Sequence, residues 1–369
     1  MELFLKKLRL YQFKNHEELD LEFSPSINCI TGKNGSGKTN VLEAIYYLGF
    51  CKGYFNVQDS QNIQHGREGF SIMGEFEKNG PVTLHCAVQR GQRKKFKKDD
   101  KEYERLADHI GAFPVVIISP YDVDLIREGS DERRKFIDLV ISLDDKEYLR
   151  QVIDYNRALS QRNNLLKFFW ENRTMDKTQL AIWNEQLSDL GNRIHNRRKD
   201  FFEEFAPMFR AFQNSISADR DQADIQYRSQ LHEQDMAEAL DSGLDADMRR
   251  HFTLFGIHKD DMEMTVGGHP VKKFGSQGQQ KSFLIALKLA QFQFIKERTG
   301  MRPLLLLDDV FDKIDDERVQ YMVDLVSRDT FGQIFITDTS QERMDRILST
   351  LDQEYRMIDM EQKEQGIEA

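Results

Sequence analysis

Gly32-Lys33-Asn34-Gly35-Ser36-Gly37-Lys38-Thr39 is a complete GxxxxGK[ST] run. It follows the short apolar segment Ile27-Asn28-Cys29-Ile30 and precedes Asn40–Leu48, where Leu42, Ile45 and Leu48 recur at helical spacing and Gly49 supplies a C-terminal stop. The chemistry needs that strand, loop and helix context. Glycines let successive backbone N–H groups turn inward around phosphates, and the helix N-terminus adds its positive end. Lys38 is then placed to bridge the outer phosphates of a nucleoside triphosphate, and the Thr39 hydroxyl to ligate Mg²⁺.

A phosphate loop also needs a carboxylate at the end of a buried strand. Leu304-Leu305-Leu306-Leu307-Asp308-Asp309 supplies one, with Asp308 as the metal-side acid and Asp309 placed to orient or deprotonate the attacking water. Alone, the pattern fits any buried strand ending at a sheet edge; beside a phosphate loop it becomes specific. Most of the chain separates the two, so the nucleotide core is interrupted by an insertion. A third run, Gly275-Ser276-Gln277-Gly278-Gln279-Gln280, leads into Lys281–Phe294, where Phe283, Leu287, Ala290 and Phe294 keep helical spacing. Ser276 can cap this helix. An N-cap with flexible flanks is the ordinary reading, but its place shortly before the acidic strand favours a second phosphate-recognition surface, one without a lysine.

These residues need a large scaffold, and the chain provides it: 369 residues, 39% hydrophobic and 11% aromatic, with a net charge of -10. That is one large or two coupled domains with apolar material for a sizeable core. Cys29, Cys51 and Cys86 show neither CxxC nor ligand spacing, which removes a disulfide framework and a structural zinc site. The opening MELFLKKLRLYQF is no secretory signal and no later run has bilayer length, so a cytoplasmic chain without a membrane partner is expected. Leu8, Leu10, Phe13 and Leu19, Leu21, Phe23 alternate at period two, and strands follow at 70–76, 82–88 and 115–118. Between them Arg90–Lys101 reads as a basic hairpin turning at Asp99-Asp100. From about Asp131 to Phe212 the period becomes helical: Val152, Tyr155, Leu159, Leu166, Phe169 and then Leu180, Trp183, Leu187, Leu190, Ile194, Phe201 predict two antiparallel helices joined near 171–177. Either a short coiled-coil-like arm or a helical hairpin in a globular lobe fits this pattern. A polar stretch runs from Asp219 to Asp247 before an α/β pattern returns near Ile257.

The phosphate loop, the SxGQ loop and the hhhhDD strand, in this order, resemble the ATP-binding-cassette superfamily, in its DNA-repair branch with the structural-maintenance-of-chromosomes and Rad50 proteins. Within that branch Leu10-Tyr11-Gln12-Phe13-Lys14-Asn15, Ser119-Pro120-Tyr121-Asp122, Arg133-Arg134-Lys135-Phe136-Ile137-Asp138 and Ser276–Lys281 look like the bacterial recombination mediators, over essentially the whole chain. The resemblance implies an α/β fold: an ABC-type P-loop ATPase head of residues 1–125 and 265–369 with an inserted, mainly helical arm lobe of residues 126–264. It implies ATP and Mg²⁺ as cofactors and an ATP-dependent homodimer in which the signature loop of one subunit closes over the ATP of the other. It further implies DNA as a partner, duplex and gapped or single-stranded junctions alike, RecO- and RecR-type mediators, and RecA indirectly, in recombinational repair, replication restart and the SOS response of a nucleoid-associated protein. Asp315 matches the D-loop acid, and the end of the strand before Ser119 is the place matched to the Q-loop. The resemblance implies DNA-dependent ATP hydrolysis, and Thr337-Asp338-Thr339, which stands where the superfamily has its switch histidine, implies that it is weak.

Two surfaces are candidates for DNA. Arg93, Lys94, Lys95, Lys97 and Lys98 of the hairpin surround Phe96, and Arg193, Arg197 and Arg198 lie on or near one face of the arm. Such cations neutralise phosphates without reading sequence, although a merely solvated charged face has the same composition. Two alternatives from other classes stay open: a structural ATP-gated DNA clamp without turnover, which would not need Asp309, and a transporter-type ATPase subunit, against which the basic arm argues. His65 and His195 have no ligand spacing.

Overall fold

The computed structural model describes residues 3–55, 58–217, 221–310, 331–351 and 353–361. The period-two segments build a six-stranded antiparallel sheet in the order His16–Glu22, Phe4–Phe13, Gly69–Glu77, Pro81–Gln89, Lys95–Lys98, Lys101–Glu102. Leu8 faces Leu21 and Leu10 faces Leu19; all four are buried, while Arg9 and Asp20 between them are exposed, the mark of a sheet with one covered face. Asp99 and Asp100 both take left-handed φ values, 48° and 62°, as a two-residue hairpin turn requires.

The apolar runs form a five-stranded parallel sheet in the order Tyr355–Asp359, Ile27–Thr31, Ile334–Asp338, Leu304–Leu307, Val115–Ile118. The last four are buried at every position, because both faces of such a sheet are covered. Helix Lys38–Phe50 touches both sheets and is buried from Val41 to Phe50. Gly49 is therefore not the helix stop: it lies inside the helix, where a Cβ would fall 2.7 Å from Val115 Cγ2 and 2.9 Å from the Phe113 carbonyl. Close approach to the sheet selects glycine there. The helix instead ends at Cys51, left-handed at φ 55°, whose N–H donates to Tyr47 O. Gln333, which has no sequence signature, stitches the two sheets. Its side chain accepts from Leu5 N at 2.7 Å and donates to Leu5 O and Ser24 O at 2.8 and 2.7 Å.

The chain divides into two compact units, residues 1–121 with 292–369, and residues 122–291. The second boundary falls later than the expected 264/265, because the strands that follow the arm and the first half of helix Gln277–Thr299 belong with it. Phe283 meets Phe209, and Lys288 pairs with Asp122 at 2.7 Å. In this second unit helices Lys146–Asn172 and Lys177–Ser217 form the expected antiparallel hairpin. It belongs to a lobe rather than standing alone: the longer helix packs on a three-stranded sheet, Ala223–Arg228, Asp261–Val266 and His269–Pro270. The polar stretch read between 219 and 247 thus carries, over its described residues, a strand, the short helix Met236–Ser242 and the start of helix Leu244–Arg250. Two arginines are buried in the hairpin. Arg162 pairs with Asp247 at 2.7 Å, and Arg198 with Asp260 and Asp138 at 2.7 and 2.9 Å. Removing one partner of such a pair costs about 3–5 kcal/mol.

Candidate functional site

Within the first unit the phosphate loop closes the gap between strand Ile27–Thr31 and helix Lys38–Phe50. Gly32, Gly35 and Gly37 have φ of 148°, 88° and 90°, values that a side chain would strain. Gly37 is also crowded: a Cβ would lie 2.3 Å from His16 Nε2 and 2.7 Å from Asn15 Nδ2. Those two residues brace the loop from the neighbouring hairpin. Asn15 donates to Gly35 O at 3.3 Å and accepts from Asn40 at 2.6 Å, and His16 Nε2 donates to Gly37 O at 3.2 Å. In the sequence Asn15 stands out only as part of a matching segment, because a loop brace has no spacing signature. Beneath them Lys14 pairs with the fully buried Glu43.

Lys38 is buried, and its ammonium donates to Gly32 O at 2.7 Å and Lys33 O at 3.0 Å, lying across the mouth of the loop. Thr39, at the helix start, donates its hydroxyl to Asp308 Oδ1 at 2.9 Å. The strand order explains this convergence of residues so distant in sequence: Ile27–Thr31 and Leu304–Leu307 flank Ile334–Asp338 and end on the same side. Asp308 N donates to Ile118 O at 2.9 Å, so the strand before Ser119 also ends here. Thr337 completes the cluster. It donates to Asp308 Oδ1 at 3.0 Å and accepts from Asp309 N at 3.0 Å. Asp309 sits at φ 46°, a left-handed conformation that an aspartate holds only when its surroundings fix it.

Burial pushes the Asp308 carboxyl above the ordinary aspartate range; the Thr39 and Thr337 hydroxyls oppose this, Asp309 adds to it and Lys38 opposes it. A buried acid with two hydroxyl donors and an ammonium nearby is poised to hold a divalent cation with Thr39, since all the donors are oxygen.

In the second unit Ser276 caps helix Gln277–Thr299, which begins at Gln277 rather than Lys281. Ser276 Oγ accepts from Gln279 N at 3.2 Å, and Gln279 Oε1 accepts from Ser276 N at 2.9 Å. This reciprocal capping box places Gln277, Gly278 and Gln279 in the first helical turn. Ser276, Gln277 and Gly278 are exposed, which leaves the helix N-terminus open to an anion. Asp315 lies outside the described residues.

The DNA candidates separate. Lys95 and Lys98 are exposed and Lys97 is half-buried on the hairpin, and exposed Arg93 donates to Glu104 O at 3.0 Å. Lys94 is a correction. Its ammonium is packed against Asp59 at 2.8 Å, Tyr47 Oη at 3.0 Å and Cys51 O at 2.6 Å, so it holds the hairpin to the P-loop helix instead of facing a phosphate. Arg198 is a second correction, being buried against Asp260 and Asp138. Arg197 is occupied by Asp145 at 3.0 Å and only 16% exposed. Arg193 alone of the three lies open, paired with Asp189. Both corrections have one cause, a carboxylate brought in from a distant element.

The family model described as RecF/RecN/SMC N terminal domain matches residues 4–366. The DNA replication and repair protein RecF of Flavobacterium johnsoniae is 48% identical over 359 residues, covering 97% of this chain and 100% of that protein. RecF of Bacteroides thetaiotaomicron is 46% identical over 363 residues, 98% of this chain and 97% of that one. Among solved structures the recombination mediator protein RecF-ATP in the RecFOR pathway superposes with a TM-score of 0.86 at 30% identity, covering 92% of this chain and 93% of that one. An Smc head domain from Pyrococcus furiosus superposes with a TM-score of 0.54 at 18% identity over 93% and 91% of the chains, a likeness of fold.

Proposed function

The chain belongs to the RecF/RecN/SMC N-terminal domain family, and from that premise we propose that it is an ATP-dependent DNA-binding protein of recombinational repair. ATP draws two copies together around DNA, and slow hydrolysis releases them. The observation that carries this reading is the meeting of Thr39 and Asp308 on one carboxylate oxygen at 2.9 Å, beside an Asp309 held left-handed by Thr337.

Three left-handed glycines and a lysine across the loop fit a triphosphate, and the oxygen pair of Thr39 and Asp308 fits Mg²⁺. When bound, that cation neutralises developing charge on the phosphates. Lys38 leaves its two carbonyls for the outer phosphates, and main-chain N–H groups at the start of helix Lys38–Phe50 orient them. Asp309 orients or deprotonates the attacking water. Thr337, a hydroxyl where the superfamily places an imidazole, gives no comparable proton relay, which makes turnover slow. Ser276 to Gln279 of a second copy close over the γ-phosphate with a helix N-terminus. Lys95, Lys97, Lys98 and Arg93 of the hairpin and Arg193 of the arm bind DNA phosphates, and RecO- and RecR-type mediators are the protein partners through which RecA is loaded at gaps.

The test is a titration of duplex, gapped and single-stranded DNA with and without ATP, read together with sedimentation. Duplex affinity and dimer content should rise together with ATP, and Lys38→Ala should abolish both increases with the fold intact. Duplex binding indifferent to ATP would overturn the reading.

A further inference from the structure

We propose that the tip of the helical hairpin is a stacking site for single-stranded nucleic acid, separate from any ATP-dependent contact. Asn163, Lys167 and Trp170 recur at spacings of four and three on helix Lys146–Asn172 and so share one stripe. The segment after helix Leu244–Arg250 lies along that stripe. Thr253 donates from N and from Oγ1 to Asn163 Oδ1, both at 2.8 Å, and the His251 ring lies 5.2 Å from that of Trp170.

The aromatic rings there are not needed by the core. Leu166, Phe169 and Leu180 fill the hairpin at this level, whereas Trp170 is 49% and Phe252 40% exposed. Cations frame them. Lys259 Nζ stands 5.2 Å from the Phe252 ring centre, and Arg249 and Arg250, exposed just before His251, have no ion-pair partner among the described residues. Lys167 reaches Glu171 only at 3.9 Å.

Lysine is depleted at the core of a protein interface. Here lysine and arginine are interleaved with indole, imidazole and phenyl faces, on a chain whose net charge is -10. That combination matches a polyanion that also carries flat π surfaces: bases stack on the rings, phosphates meet the cations, and the preference is sequence-tolerant. Duplex DNA has its bases already stacked and offers no such surface.

The full chain is titrated with an oligothymidylate in the absence of ATP, where the proposed dimer clamp is silent. Failure here and failure of that clamp are thereby distinguished. With Trp183→Phe leaving Trp170 as the remaining indole, its emission should be quenched on binding. Trp170→Ala should weaken oligothymidylate affinity about tenfold, and Trp170→Phe, which keeps a ring in the half-buried position, should restore most of it. Arg249→Glu with Arg250→Glu should flatten the slope of log affinity against log salt by about 0.7 for each phosphate no longer neutralised. Parental affinity in Trp170→Ala would assign the patch to a protein partner and overturn the proposal. So would unquenched emission with dextran sulfate competing charge for charge, which marks a charge-only contact.

Discussion

Thr337 Oγ1 accepts the main-chain N–H of Asp309 at 3.0 Å and donates to Asp308 Oδ1 at the same distance, so one hydroxyl joins the two acids. Asp309 needs that anchor, since its φ of 46° is unfavourable for a residue with a Cβ. Thr337→Val keeps the shape and removes both bonds; Asp308 Oδ1 keeps the Thr39 hydroxyl, while the part-buried Asp309 N–H loses this acceptor, at about 1–3 kcal/mol. Asp309 should lose its fixed orientation while the phosphate loop is untouched. The expected outcome is ATP affinity near parental and single-turnover hydrolysis slower by at least about tenfold. Equal hydrolysis rates would remove Thr337 from the chemistry.

Asp308 gives a pH prediction with a definite sign. Its folded carboxyl is raised, first by burial, so the folded state binds more protons than the unfolded between the ordinary aspartate range and the raised value. Stability therefore falls as pH rises through that window and stays lowered above it. Asp308→Asn removes the buried charge and should melt a few degrees higher than the parent at neutral pH, the gap closing as the buffer is taken down to the ordinary aspartate range. The same variant should lose Mg²⁺-dependent ATP binding. A melting gap independent of pH would show that the acid is not the source.

The hairpin lysines divide by the groups they touch. Replacing Lys95, Lys97 and Lys98 by Glu should weaken duplex affinity uniformly across sequences and flatten its salt slope by about 0.9 for each phosphate no longer neutralised. Lys94→Glu should act differently: it places a second carboxylate against Asp59, 2.8 Å from the present ammonium, and should lower the melting temperature. Salt titrations and melts on the two variants separate the roles, and a parental slope in the triple variant would leave the hairpin a solvated surface.

What the sequence made legible follows from how local the constraint is. The strand–loop–helix of residues 27–50, the convergence of Thr39 with Asp308 and the Ser276 cap were legible because their residue types stand at fixed spacing, and the parallel strands because burial on both faces leaves runs such as Leu304–Leu307. Arg198 was misread because a cation on an amphipathic helix looks alike whether it faces water or a carboxylate, here Asp260, that folding brings in from another element. Gly49 was misread for a related reason, since a glycine allowing close approach to Val115 has the same local signature as a helix stop. Gln333, Asn15 and His16 carry no spacing signal, and only the packed sheets reveal their work.

The sharing of one active site between two copies makes the most demanding prediction. Ser276 caps its helix through Gln279, at an exposed N-terminus that in the proposed dimer meets the ATP held by the other copy. Ser276→Arg should leave ATP binding by the monomer nearly intact, because that chain's own Lys38 and Thr39 are unchanged, while ATP-dependent dimerisation fails. Lys38→Ala should fail at binding itself. Mixing the two variants produces heterodimers in which one composite site carries both defects and the other carries none. ATPase rate measured against mixing ratio, with sedimentation to count heterodimers, should then show activity that neither variant has alone. A rate of zero with heterodimers demonstrably present would mean that both sites must close together, and full activity of Ser276→Arg by itself would remove the capping serine from the site.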